Sequence, residues 1–323
     1  MKTRHFLKTL AACTLLAGSM AGAWAQGTST TRSVRLVVPF PAGTATDLAA
    51  RVMANHLQGA LGQTFVVENK PGAGGSIAAM EVIRSAPDGN TLLFSSNSAL
   101  ASNVALLKSI PYDPTKDFSP VAGIGENMLV LMVRADHPAK TAADLVNYVK
   151  QRPGKVNAGY GSSSSQVSIA VLNKLGKVDA VAVPYKGIPL AVNDVLGGTL
   201  DFTFVDLGNA MAQAKGGRMR ALGITASKRS SLVPEWPALA EGLPGFDITA
   251  WFGIAGPAGL PKDVVDRLHA AVTQGLASAE VKDKLAGIGI QPMPQNPDQL
   301  KAFMAAEVSK WIRLVKEANI QPE

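Results

Sequence analysis

Apolar and polar positions follow two alternating periods along this chain. Residues 34–38 read Val-Arg-Leu-Val-Val, a β-branched run stopped by Pro39-Phe40-Pro41-Ala42-Gly43, so a strand runs into a loop. From 46 to 61, apolar residues at 48, 49, 52, 53 and 57 recur at the spacing of one helical face. The same alternation predicts strands at 65–68 and 91–95, helices at 76–86 and 98–107, and a glycine-rich loop at 69–75. Strand, helix, strand, helix in that order predicts a parallel sheet covered on both faces.

The pattern changes near 118–134. Residues 128–133 are continuously apolar, and with their lead-in they are long enough to cross from one domain to another. A second alternating series follows. It has a helix over 141–151 that opens on Thr141-x-x-Asp144, close to a capping box, and strands at 156–160, 180–183, 201–205 and 219–225. A helix at 166–175 follows Gly161-Ser162-Ser163-Ser164-Ser165, and short helices separate the remaining strands. Residues 248–255 are a second crossing candidate. A helix over 261–277 with Pro261 in its first turn follows, then a terminal helix from 297 to about 318. That last helix stacks Leu300, Phe303, Met304, Val308, Trp311 and Val315 on one face, which reads as core packing. The expected organisation is two α/β lobes with a ligand cleft between them: 26–130 plus 250–323, and 131–249.

Ligands of open α/β sheets sit beyond the carboxyl ends of strands, where free amides at helix starts favour anions. The loops at 40–46, 71–76, 95–98, 161–165, 184–187 and 206–209 meet that description. They supply Phe40, Ala42, Gly43, Thr44, Thr46, Gly74, Ser95, Asn97, Ser162, Ser163, Ser164, Tyr185 and Asp206 as candidate ligand-binding residues. Asp206 closes an apolar strand, so its carboxylate either accepts hydrogen bonds from a ligand or braces a neighbouring loop. Asp47 reads as a first-turn acid offsetting the helix dipole, and Lys186 as a solvated cation.

The chain's beginning is a different kind of text. Lys2, Arg4 and Lys8 precede an uncharged apolar stretch at 9–24 that ends in Ala23-Trp24-Ala25. This is the form of a secretory signal peptide covering 1–25, with cleavage expected between Ala25 and Gln26. Leu10-Ala11-Ala12-Cys13 has the local form of a lipoprotein site, but too little apolar core precedes it. Removal of 1–25 changes the charge picture: the formal +7 loses three cations and no acid, which leaves +4. That is ordinary solubility and not the clustered basic footprint of a nucleic-acid binder. The single cysteine excludes a disulfide framework and a cysteine-based zinc site. An exported, periplasmic, monomeric protein without nucleic-acid partners is expected.

Enzyme chemistry finds little support. His56, His137 and His269 neighbour no serine-rich loop in sequence and have no partner at metal-ligand spacing. The serines at 161–165 lack a G-x-S-x-G elbow, so a secreted serine hydrolase built on Ser163 or Ser164 stands only as an alternative. Gly72-Ala73-Gly74-Gly75-Ser76 lacks both the third glycine of a dinucleotide fingerprint and the Lys-Ser/Thr of a P-loop. No cofactor and no metal are expected.

Several motifs carry a resemblance. Val38-Pro39-Phe40-Pro41-Ala42-Gly43 with Thr46-Asp47, Val67-Glu68-Asn69-Lys70-Pro71-Gly72-Ala73-Gly74-Gly75, and Val183-Pro184-Tyr185-Lys186-Gly187 stand in order along the chain. So do Leu196-Gly197-Gly198 with Asp201-Phe202, Arg220-Ala221-Leu222, Lys228-Arg229-Ser230, and Trp251-Phe252-Gly253 with Pro257-Ala258-Gly259. Over 34–320 the chain resembles the Bug-type, TctC-like solute receptors of tripartite tricarboxylate transporters. The resemblance implies a type II periplasmic-binding-protein fold that closes like a flytrap on a small organic acid. It also implies a carboxylate held by backbone groups and water at 40–46, with donors from 162–165 and Asp206. The implied partners are that acid and the membrane subunits of a tripartite transporter, which can be absent or shared, with a sensor protein as the alternative recipient. Two departures touch the implied pocket: Thr44-Ala45 replaces further glycines and supplies a hydroxyl donor, and Gln166-Val167-Ser168-Ile169 replaces a His-Leu neighbourhood.

Overall fold

The computed structural model describes residues 33–322; the leader, its cleavage point and Cys13 lie outside the described residues. Strand β1 (Val34–Val38) leads through the proline loop into α1 (Ala45–Leu61). Next come β2 (Phe65–Asn69), α2 (Ser76–Ile83) and β3 (Thr91–Ser96). A π-helical turn, Ser98–Ser102, then precedes the short α3 (Asn103–Leu106). The 17-residue β4 (Phe118–Arg134) follows, then α4 (Ala142–Lys150), β5 (Asn157–Tyr160), α5 (Ser163–Gly176), β6 (Val181–Pro184), α6 (Ile188–Gly197) and β7 (Phe202–Asp206). The series ends with α7 (Leu207–Lys215), β8 (Met219–Ile224), β9 (Thr249–Pro257), α8 (Lys262–Ala277), α9 (Ala279–Gly287), β10 (Ile290–Gln295) and α10 (Pro297–Glu317).

Two sheets share β4. Its first part, up to Met128, pairs with β9 and β10, and β9 in turn pairs with β3, β1 and β2 in succession. Its second part, Leu129–Arg134, pairs with β7 and β8, and β7 continues to β5 and β6. Strands β1, β2 and β3 are parallel, as are β5, β6 and β7. Every contact made by β4, and that between β3 and β9, is antiparallel. The parallel pairing expected of the first strand–helix series is found among β1, β2 and β3, and the antiparallel contacts belong to the long strands β4 and β9 and to β8 and β10. Parallel pairing needs a helical crossover between neighbours. The long strand β4 instead runs through both sheets, and β9 lies antiparallel beside its first part.

Burial of β4 on both faces explains its unbroken apolar run. Leu129, Leu131 and Val133 join one core with Phe202, Phe204 and Leu145, whereas Val130 and Met132 join another with Ile188, Val205 and Leu207. Strand β1 divides in the same way: Val37 packs toward Leu93 and Ala79, and Leu36 and Val38 toward Met53 and Phe94. Successive side chains alternate faces, so a strand covered on both sides carries no polar alternation. The capping box expected at Thr141 and Asp144 is formed in full. The terminal stripe also packs as expected: Leu300, Met304, Trp311 and Val315 are buried. Glu307 shares that face, and its carboxylate accepts hydrogen bonds from the indoles of Trp251 (2.8 Å) and Trp311 (3.1 Å).

Candidate ligand site between the two sheets

The loop after β1 is held by its own side chains. Thr44 caps α1: its hydroxyl donates to the Pro41 carbonyl (2.9 Å) and accepts from the Asp47 amide (3.3 Å). The Asp47 carboxylate accepts from the Gly43 amide (2.9 Å) and the Asn69 side chain (2.9 Å), and pairs with Arg51 (2.9 Å). Asn69 also donates to the Phe40 carbonyl (2.9 Å). Burial disfavours charge on Asp47, but Arg51, the Gly43 amide and Asn69 outweigh it and hold the carboxyl below its ordinary range. Asp47 is therefore the brace of the loop, more than a first-turn acid. The Thr44 hydroxyl proton is committed to Pro41, which corrects its expected role as a free donor. With the Asp47 amide taken by Thr44, the Ala45 and Thr46 amides are left with the orphan character of a helix start.

The serine turn after β5 is built from hydroxyls alone. Ser162 caps α5 and forms a capping box with Ser165. The Ser165 hydroxyl accepts from the amides of Gly161 (3.1 Å) and Ser162 (3.0 Å). The turn reaches back to the first sheet: Ser163 donates to the Ser98 hydroxyl (2.9 Å) and Ser164 to the Asn97 side-chain carbonyl (3.4 Å). A third bridge runs from the Asn209 side chain to the Gly43 carbonyl (3.2 Å). A Cβ on Gly161 would stand 2.3 Å from the Gly187 carbonyl carbon; only glycine allows these two turns to approach so closely.

These elements enclose an inner cavity with about 50 Å³ for water-sized guests. Of the candidate residues, the structure places Phe40, Thr44, Thr46, Asn97, Ser162, Ser164 and Asp206 in its lining. Gly74, Ser163 and Tyr185 face a neighbouring outer cavity instead, and Phe40 and Ser162 line both. Ala42, Gly43 and Ser95 line neither, which corrects their expected place. Ser95 is fully buried with its hydroxyl donating to the Ser96 carbonyl (3.1 Å). One step along a strand reverses the face, so Ser96 reaches the cavity. The Gly43 amide is taken by Asp47. Residues that sequence reasoning missed include Asn127, Leu129, Ile188, Ala250 and Phe252. Only Asn127 left a signal: an amide beside the apolar run of a crossing strand.

Among the described residues, no cationic side chain lines the inner cavity. The amide nitrogens of Asn97 and Asn127 are buried and unpartnered, while the Asn127 carbonyl accepts from the Leu207 amide (3.2 Å). Asp206 caps α7, accepting from the Asn209 amide (3.1 Å) and side chain (3.0 Å). Burial pushes its carboxyl above the ordinary range despite the pull of Asn209. Both uses weighed for Asp206 are thus structurally available: it braces α7 and faces the cavity.

Among the described residues, Ser163 and Ser164 bond to Ser98 and Asn97, and the described histidines are engaged elsewhere: His56 with the Ala271 carbonyl (3.0 Å), His137 with the Ala139 amide (3.1 Å), His269 with Thr273 (3.4 Å). Among the described residues, no group of three or more His, Cys, Asp or Glu could hold a metal ion.

The family model described as the tripartite tricarboxylate transporter family receptor matches residues 49–320. The chain belongs to that family. Solved structures similar to it include three with high coverage. One is Rpa4515 of R. palustris with adipate, at 33% identity and a TM-score of 0.88 over 91% of this chain and 100% of that one. The periplasmic binding protein BugD has 32% identity and a TM-score of 0.86 over 90% and 99%. MatC of Rhodopseudomonas palustris with bound malate has 35% identity and a TM-score of 0.84 over 88% and 99%. The fold is that of a two-lobed periplasmic binding protein, and the family is one of periplasmic solute receptors rather than enzymes.

Proposed function

We propose that this chain is an extracytoplasmic receptor that encloses a small organic carboxylate between its lobes and delivers it to the membrane subunits of a tripartite tricarboxylate-type transporter. The observation that carries the reading is the inner cavity. Two unpartnered side-chain amides and the starts of α1, α5, α6 and α7 border it, and among the described residues no cation does. A carboxylate satisfies such donors, since an unmade buried hydrogen bond costs about 1–3 kcal/mol, and helix N-termini favour negative charge. Phe40, Leu129, Ile188, Ala250 and Phe252 supply apolar walls for a short carbon skeleton. The adipate and malate bound to Rpa4515 and MatC are acids of this kind.

Capture follows from where the donors sit. The lobes divide at the crossings near Val130 and Ala250 into 26–130 with 250–323, and 131–249. A guest held by Asn97 and Asn127 from one side and by the 162–164 turn from the other gains its full set of contacts only when the lobes meet, so it shifts the balance toward closure. The leader at 1–25 is removed after export, and the mature receptor acts as a monomer. Titration calorimetry of ligand-free mature protein against di-, tri- and aromatic carboxylates tests the reading. A saturable heat with at least one of them is expected, and silence across all of them overturns it.

A further inference from the structure

The back wall of the inner cavity is held from a helix that does not line it. On β9, Ala250 and Phe252 face the cavity. Trp251 stands between them, and successive strand residues point to opposite sides, so its indole enters the core formed with Leu300, Met304 and Trp311 of α10. There it donates to Glu307 Oε2 (2.8 Å), and its ring meets Phe303 edge-on with centroids 5.0 Å apart. Strand β4 is set by the same stretch: Asn127, whose amide also faces the cavity, pairs with Ala250, and Glu126 pairs with Trp251.

Glu307 is 5% exposed, and capture as described above makes no use of it. Its Oε2 accepts from both indoles, Trp251 and Trp311 (3.1 Å), and its Oε1 accepts from Lys310 (3.0 Å). The two indole bonds differ in what they join. Trp311 lies one turn along the same helix, so its bond stays within α10. The Trp251 bond ties α10 to a strand 56 residues away in sequence. A leucine at this place would continue the apolar face of α10 without giving up a carboxylate's hydration. What the carboxylate supplies instead is direction, because the Trp251 N–H must point at one oxygen.

On the receptor reading above, we infer that Glu307 is a positioning residue for the ligand site. Through the Trp251 indole it fixes β9 at 250–252, and with it the places of Ala250, Phe252 and Asn127 at the cavity. It touches no guest. Without the bond the indole is free to turn and the strand to shift, and the Asn127 amide no longer meets a guest in concert with Asn97.

Four variants separate this role from plain packing. Glu307→Leu removes the acceptor of both indoles. Trp251→Phe removes the donor on β9 and keeps an aromatic ring against Phe303. Glu307→Gln keeps an oxygen that can accept from both indoles, and Trp311→Phe breaks only the bond within α10. Each is compared with wild type by amide hydrogen exchange of the ligand-free protein, and by calorimetry with butanedioate, hexanedioate, citrate and benzoate. Glu307→Leu and Trp251→Phe are expected to speed exchange at 249–253 and 125–128 and to weaken the acids that wild type binds by about fivefold, the scale of one hydrogen bond. Their double variant is expected to bind no more weakly than either single one. Glu307→Gln and Trp311→Phe stay within twofold of wild type in affinity, even where Trp311→Phe lowers Tm. The inference is overturned if Trp251→Phe lowers Tm but leaves affinity and exchange unchanged, if Glu307→Gln behaves as Glu307→Leu does, or if Trp311→Phe weakens binding as much as Trp251→Phe. Should Glu307→Leu fail to fold, the contrast between the two tryptophan variants decides. If wild type binds none of these acids, nor any other carboxylate, the receptor reading falls and the positioning role with it, while the exchange pattern still reports the clamp.

Discussion

Two buried aspartates stand at helix starts, Asp206 in the lining of the cavity and Asp47 behind the loop that supplies Phe40, Thr44 and Thr46, and they differ in almost everything but burial. Asp47 is 1% exposed and Asp206 is 6% exposed. Asp47 has an arginine, a backbone amide and an asparagine for partners, which hold its carboxyl low. Among the described residues, Asp206 has no residue but Asn209 bonded to its carboxylate besides its own amide, and burial raises it. Burial costs a carboxylate its hydration in either place; the partners decide whether charge is kept as a brace or is free to change. The first aspartate holds a loop in shape. The second lies beside the space a guest would occupy.

Removing the brace gives the largest expected effect. Asp47→Ala strands the Gly43 amide and the Asn69 side chain, and should lower unfolding free energy by about 2–3 kcal/mol in urea denaturation. The sign of its pH dependence is set by its lowered folded-state pKa. Its stabilisation is present above the unfolded-state value and is lost as pH falls through the folded one, so the gap between wild type and variant should narrow in acid. An unchanged urea midpoint at neutral pH would remove the contrast.

Next in size is a charge placed beside Asp206. Asn127→Asp keeps an oxygen for the Leu207 amide but replaces an unpartnered donor with a second anion. Affinity for a bound carboxylate should fall tenfold or more, about 1.4 kcal/mol, with the ligand-free melting temperature changing by a few degrees at most. Equal binding by the two proteins would take Asn127 out of the site.

The smallest expected effect sharpens the comparison most. Asp206 has a raised folded-state pKa, so its ionisation opposes folding. That penalty is absent in acid and grows as pH rises from the unfolded-state value through the folded one. Asp206→Asn preserves a good N-cap and removes the charge. Ligand-free Tm at neutral pH should therefore rise by roughly 2–4 °C, equivalent to about 1 kcal/mol. An anionic guest raises the same carboxyl further, so wild-type affinity should weaken with rising pH and proton uptake should accompany binding; both are lost in Asp206→Asn. Calorimetry in buffers of different ionisation heat reads the proton directly. Equal proton uptake by wild type and variant would assign the titration to another group.

Much of this architecture is legible residue by residue, because its causes are local. A β-branched run stopped by Pro39 makes β1, and Thr141 with Asp144 caps a helix within four residues. A face of Leu300, Met304, Trp311 and Val315 needs only the helical period. The loop at 40–46 could be located because it joins two such elements. Ser95 and Ser96 mark where this kind of reading runs out: their composition is the same, and a one-residue difference of face separates the buried hydroxyl from the one at the cavity.

By itself, then, the sequence determined the elements, their order, and which loops follow strands, since these depend on period, capping and turn chemistry within a few residues. The tertiary structure alone decided that β4 and β9 run antiparallel, that Asn127 joins Asn97 and Asp206 around one space, and that the carboxyls of two like aspartates are shifted in opposite directions. Those outcomes depend on distances between residues far apart in the chain, and on how much water each site excludes. Neither quantity exists until the sheets have packed.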